Sequence, residues 1–308
     1  MKKSTLTFLF LILIILVGCV SRSPSKTAAP DINGALGSTL VSPVDGMTMI
    51  FVPAGEFKMG SEFGLSDEQP VHTVILDVYW IDKTEVTNAM YRKCVLAGKC
   101  QEPNSIGTWR DPISTTYFKD QEYENHPVVF VSWNDAKNYC TWAGRRLPTE
   151  AEWEKAAIWD SILNEQRVYP WGNEFNCKMG NYDDETLLDA SLMPATSPNC
   201  DGFARSSPVG SFPEGASPYG ALDMGGNVWE WVNDAFIETD PFSDTVVNYY
   251  AISPIYNPPG VDPVISEYRV MRGGSWNFTF GFGRGAYRLW YGQYDSYDGV
   301  GFRCASSE

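Results

Sequence analysis

The feature that most constrains this chain is its density of breakers. Across 308 residues that are 44% hydrophobic and 14% aromatic, 27 glycines and 20 prolines interrupt the pattern. A chain this apolar buries a core instead of staying disordered. Breakers at that frequency cut it into short elements joined by many turns, which excludes a helical bundle or a long solenoid. The expected fold class is α+β, irregular and low in secondary-structure content. A formal charge of −15 and a pI near 4.6 exclude a nucleic-acid surface, which needs a basic stripe. With only two histidines, His72 and His126, metal centres built on three histidines or on two histidines and a carboxylate are excluded too.

Lys2 and Lys3 precede an unbroken apolar run from Phe8 to Val17, followed by Gly18 and Cys19. That run is too short to span a bilayer as a helix but has the length of a signal-peptide core. Leu16-Val17-Gly18-Cys19 resembles a bacterial lipobox. The resemblance implies a signal peptide over residues 1–18, lipid attachment at Cys19, and an extracytoplasmic, membrane-anchored lipoprotein. An ordinary signal peptide with an incidental cysteine is the plainer alternative. Residues 19–42 are mostly Ser, Pro, Ala, Gly and Thr without periodicity and are expected to be a flexible tether. Residues 43–308 are expected to form one folded domain. Cleavage removes two lysines and leaves 21 basic residues against 38 acidic ones, a charge of −17.

Six cysteines remain after Cys19: Cys94, Cys100, Cys140, Cys177, Cys200 and Cys304. In an oxidising compartment an even number points to disulfides, with fifteen connectivities open. Cys94 and Cys100 are near enough to close a small loop around Gly98.

Local signals then place the elements. Residues 47–59 read as a strand, a Pro-Ala-Gly turn and a second strand, and 71–81 as an extended segment. Thr87 is positioned to cap a helix burying Met90, Tyr91 and Cys94. Ser132 is positioned to cap one burying Trp133, Ala136, Tyr139, Cys140 and Ala143. Thr149 and Glu152 have capping-box spacing ahead of Trp153, Ala156 and Ala157. Strands are expected at 268–272 and 300–304. Trp171, Trp229 and Trp231 are assigned to the core, and Arg145, Arg146, Arg272 and Arg303 to ion pairs.

Seven segments in order, FVPAGEFKMGS, TEVTNAMY, PVVFVSWNDAKNYCTWAGRRLPTEAEWEKAA, YPWGN, YGALDMGGNVWEWVND, RVMRGGSW and GFRC, resemble the formylglycine-generating enzyme or sulfatase-modifying factor family from about residue 47 to 304. The resemblance implies that family's irregular fold, related to the C-type lectin-like fold. It also implies a reaction in which a sulfatase cysteine is oxidised to formylglycine by oxygen and copper held by two cysteines. Phe278 and Gly283 stand where those cysteines are expected, so copper is not expected and the chain reads as a non-enzyme. A branch that holds iron on three histidines fits worse. The resemblance pairs Cys140 with Cys304. It implies calcium at Asn181, Tyr182, Asp201 and Phe203, with Cys177–Cys200 joining the halves of that site, and at Asp223, Gly226, Val228 and Glu230. In the plainer reading these are turn residues accepting backbone N–H groups.

Between Trp276 and Phe302 lie ten aromatic residues. With interleaved polar side chains they suggest a ligand surface of Trp276, Phe278, Arg284, Arg288, Trp290 and Tyr294, suited to an extracytoplasmic protein or glycan. The leading expectation is a non-catalytic, calcium-stabilised recognition or scaffold domain of a surface lipoprotein. The alternatives are a formylglycine-generating or other oxidase acting on exported proteins, and a structural cell-envelope protein.

Overall fold

Helices form where the sequence supplies both a cap and an apolar stripe. In the computed structural model, Thr87 accepts the Met90 N–H and starts α1 (Asn88–Leu96). Ser132 and Asp135 exchange capping bonds at the start of α2 (Trp133–Trp142), and Thr149 and Glu152 do so for α3 (Glu150–Ile158). A short α4 spans Tyr249–Ile252. Met90 is only half-buried, so α1 turns Tyr91 and Cys94 inward instead. The described residues are 34–103, 116–183, 201–237, 249–262 and 264–307. All of them belong to the unit Ile32–Glu308; Cys19 and Cys200 lie outside them. Among the described residues no helix is long and apolar enough to cross a membrane.

One sheet has the order β1-β2-β5-β12, formed by β1 (Thr39–Val41), β2 (Thr48–Val52), β5 (Tyr79–Asp82) and β12 (Ala305–Ser306). The other, β10-β9-β8-β11, contains β8 (Trp229–Ala235), β9 (Tyr268–Arg272), β10 (Leu289–Gly292) and β11 (Val300–Phe302). Its β8–β11 pair is parallel. Hairpins β3 (Gly55–Met59) with β4 (His72–Leu76), and β6 (Trp159–Asp160) with β7 (Glu165–Gln166), complete the strands.

Three boundaries depart from the sequence reading. Thr39–Val41 pair with Thr48–Ile50, so folded structure reaches back into the stretch assigned to the tether. The segment 71–81 is two strands in different sheets, parted at Asp77, whose N–H is taken by Asn257 Oδ1. The expected strand 300–304 stops at Phe302, and the chain then crosses to β12 in the first sheet. Cys304 sits at that crossing and is bonded to Cys140 of α2, so one disulfide ties the helix to the junction of the sheets. The Cys94–Cys100 bond closes the end of α1. Cys177 is disulfide-bonded.

The expected arginine ion pairs form, those of Arg145 and Arg272 in the interior and that of Arg146 partly exposed. Arg145 bridges Asp45 and Asp82, Arg146 pairs with Glu152, and Arg272 meets both Glu150 and Glu154. Burial penalises the Asp45 carboxylate, but Arg145 and hydrogen bonds from Ser42, Tyr139 and Met47 outweigh it and hold its pKa below the usual range.

Candidate functional site

Strand alternation builds the site. Trp229 and Trp231 share one face of β8 and enter one core cluster, while Val232 enters the other. Glu230, also turned from the tryptophan face, accepts Arg303 Nε at 2.6 Å and Nη2 at 2.7 Å, and the Trp153 indole N–H at 2.8 Å.

Trp229 meets Phe278, Phe282 and Tyr287 at ring-centroid distances of 5.5, 6.5 and 6.0 Å. Its Nε1 is buried with no hydrogen-bond acceptor among the described residues. Phe278, Phe282 and Tyr287 are each partly exposed and pack edge to face on one another, so they form an aromatic cluster over Trp229. Arg284 lies over the Tyr287 ring at 5.5 Å while both its terminal nitrogens bind Glu68.

The turn before β8 sets the floor beside these rings. Asp223, Gly226 and Asn227 are all left-handed, with φ of 58°, 95° and 63°. A Cβ on Gly226 would lie 2.4 Å from the Asn181 carbonyl oxygen, so close chain approach requires glycine there. Gly226 N–H donates to Gly273 O and Trp276 N–H to Asn227 O, locking this turn to the segment after β9. Asn227 donates to Glu85 at 2.9 Å and accepts from Ser207 N–H at 2.9 Å. Burial raises the Glu85 pKa well above the carboxylate range, with Asp223 and Glu230 adding to it. Burial also raises that of Asp223, against the Gly210 N–H bond and Arg303.

Gly283 completes the wall. A Cβ there would sit 2.3 Å from the Tyr182 hydroxyl, so the phenol fills the space a side chain would take. That hydroxyl is buried and without a partner. Tyr182, Phe282 and Tyr287 are the site residues whose side chains the sequence reading did not single out. Phe282 and Tyr287 were visible within the aromatic run, but nothing in the sequence distinguished lining rings from core rings.

The second set of proposed calcium ligands does not fit. Glu230 is fully committed to Arg303 and Trp153, so its charge is already neutralised, and Asp223 Oδ2 is bound by Gly210 N–H. Among the described residues, no group of three or more His, Cys, Asp or Glu could hold a metal ion. In the first set Asp201 accepts the N–H groups of Tyr182 and Phe203, as the plainer turn reading expects, while Asn181 Oδ1 is buried with no partner among the described residues. For copper the donors do not fit, because the described cysteines are disulfide-bonded and offer no thiolate.

The expected ligand surface divides. Arg288 is buried and grips Glu150 through Nε and Nη2, and Trp276 is buried, so neither faces a ligand. The reason is charge: a buried glutamate needs a guanidinium more than the surface does. Trp290 packs between Phe236 and Tyr268, and Tyr294 is 75% exposed. Phe278 is part of the aromatic cluster over Trp229, with Arg284 over Tyr287 at its margin.

An irregular α+β domain with an aromatic cluster beside a Gly-Gly turn defines the class. The chain belongs to the sulfatase-modifying factor family: the sulfatase-modifying factor enzyme 1-like domain matches residues 39–308. It is 32% identical over 298 residues to formylglycine-generating enzyme of Mus musculus, covering 84% of this chain and 74% of that protein. It is 33% identical over 298 residues to inactive C-alpha-formylglycine-generating enzyme 2 of Mus musculus, covering 84% and 85%. Among solved structures it is similar to PvdO from Pseudomonas aeruginosa, with a TM-score of 0.66 and 26% identity, covering 89% of this chain and 99% of that one.

These findings correct the non-enzyme reading. The chain's cysteines are kept as structural pairs, Cys94–Cys100 and Cys140–Cys304, that hold the family scaffold together. Phe278 and Gly283 are packed parts of that scaffold, against Trp229 and Tyr182, and two such positions do not decide whether the chain is an enzyme. The relatives include formylglycine-generating enzymes, and no observation on the described residues shows a recognition or scaffold role.

Proposed function

We propose that this protein is an exported, membrane-tethered enzyme of its family's oxidation class, acting on a protein or peptide substrate presented at the aromatic cluster over Trp229. Molecular oxygen is the oxidant this reading requires. The observation that carries it is the set of partly exposed rings of Phe278, Phe282 and Tyr287 packed over Trp229. Partly exposed aromatic rings suit contact with a peptide side chain. Paired disulfides support an oxidising, extracytoplasmic compartment. Lipid at Cys19 supplies the tether, Cys177 pairs with Cys200, and Asn181 with Asp201 holds calcium as a structural ion.

The test uses mature protein with sulfatase-type cysteine peptides under oxygen, with and without added cuprous ion. Oxygen uptake is followed together with peptide mass. Oxygen-dependent conversion that falls at least tenfold in Phe278→Ala, with the melting temperature kept, is the expected result. No uptake above a protein-free control defeats the reading.

A further inference from the structure

The surface where the folded unit begins carries exposed aliphatic side chains. Val41 is 59% exposed and Leu96 is 87% exposed, and Leu36 and Val44 are also open to solvent. Val41 points outward from edge strand β1, while Leu40 packs inward. The turn carrying Val44 is tied to α1, because Lys93 Nζ donates to the Asp45 carbonyl oxygen. Leu96 lies three residues beyond Lys93, on the same side of the helix. Val44 and Leu96 therefore stand on adjoining parts of one face.

Charge sets this face apart as well. In a chain with 38 acidic and 23 basic residues, stretches 34–47 and 88–101 contain one acid, Asp45, against Arg92, Lys93 and Lys99. That acid is buried and paired with Arg145, so it adds no negative charge outside. Leu96 thus stands among cationic side chains on an otherwise acidic protein. Exposed aliphatic side chains beside lysines suit the boundary between acyl chains and anionic headgroups, where apolar burial and electrostatic attraction add.

The occupant follows from where the remaining chain enters. The 33 residues before the described structure reach it at Gly34, two residues from Leu36 and five from β1. With lipid at Cys19, the anchored chain enters the folded unit shortly ahead of the Val44 turn. We infer that the face formed by Val44, Leu96 and Lys99 docks on the anionic surface of the bilayer that holds the anchor. The inference rests on the anchored reading above. Docking fixes the orientation of the domain instead of leaving it to swing on its tether.

The experiment uses mature lipidated protein in vesicles of zwitterionic lipid, with and without anionic lipid. An environment-sensitive fluorophore is placed by Val44→Cys, Leu96→Cys or, as a control on an exposed loop, Val264→Cys. Nitroxide-bearing lipids are expected to quench the labels at 44 and 96 several times more strongly than the label at 264, most on anionic vesicles. Leu96→Asp with Lys99→Glu should cut quenching at 44 about fivefold or more, as loss of near-surface apolar and cationic contacts implies. Vesicle-bound protein whose labels at 44, 96 and 264 quench alike overturns docking and leaves anchoring intact. Protein that fails to sediment with vesicles overturns anchoring and this inference with it. Shielding of the label at 96 without vesicles, with a doubled mass, assigns the face to a second copy and also overturns it.

Discussion

Replacing Arg303 with Met tests how the site region is held. Arg303 is fully buried and its guanidinium makes five contacts: two to Glu230 at 2.6 and 2.7 Å, and three to the carbonyl oxygens of Asp82, Lys83 and Leu222 at 3.0, 3.2 and 2.8 Å. Both partners' side chains have 0% accessibility, so no water can replace the lost cation. Breaking a buried pair from one side leaves an uncompensated charge and costs about 3–5 kcal/mol. For a domain of this size that is a fall of about 6–20 °C in Tm. Denaturant and thermal melts of Arg303→Met measure it directly. Adding Glu230→Gln to that variant should recover part of the loss, because the orphaned charge disappears. In the wild type, calcium should not act through Glu230, so Glu230→Gln should leave any calcium-dependent rise in Tm unchanged. A loss below about 1 kcal/mol for Arg303→Met, or no recovery in the double variant, would refute the closed-pair account.

Other consequences are equally direct. Replacing Cys140 and Cys304 by Ser opens a loop with a sequence separation of 164 and should cost about 5 kcal/mol in the chain-entropy model, read from denaturant melts of oxidised wild type and variant. Burial lowers the Lys155 pKa from 10.5 to about 8, although its Nζ donates to Pro53 O and Gly55 O. Between those values the unfolded chain keeps its proton and the folded chain releases it. Wild-type stability relative to Lys155→Met should therefore rise with pH across that window and stay level below pH 8; a flat difference contradicts the assignment. Gly283→Ala forces its new Cβ against Tyr182, 2.3 Å from the hydroxyl, and should cost about 1–3 kcal/mol in a thermal melt. Cys19→Ser should abolish incorporation of labelled lipid, and unchanged incorporation removes the anchor.

The capped helices were legible because their signals are local. Thr87, Ser132 and Thr149 bond backbone groups within three residues, and no distant contact is needed to see them. The Pro-Ala-Gly turn between β2 and β3, the buried Trp229 and Trp231, and the arginine ion pairs were legible for the same reason or from residue type alone. The site was not. Glu230 looked like a ligand until Arg303, 73 residues away, closed on it, and Arg288 looked like surface until Glu150, 138 residues away, drew it inside. Tyr182 entered the wall only because Gly283, after a distant strand, left room for its ring. Sequence by itself decided where backbone donors are capped and which stretches are apolar. Tertiary structure decided which charges are neutralised and which rings stay partly exposed, because both depend on long-range partners whose proximity no local spacing records.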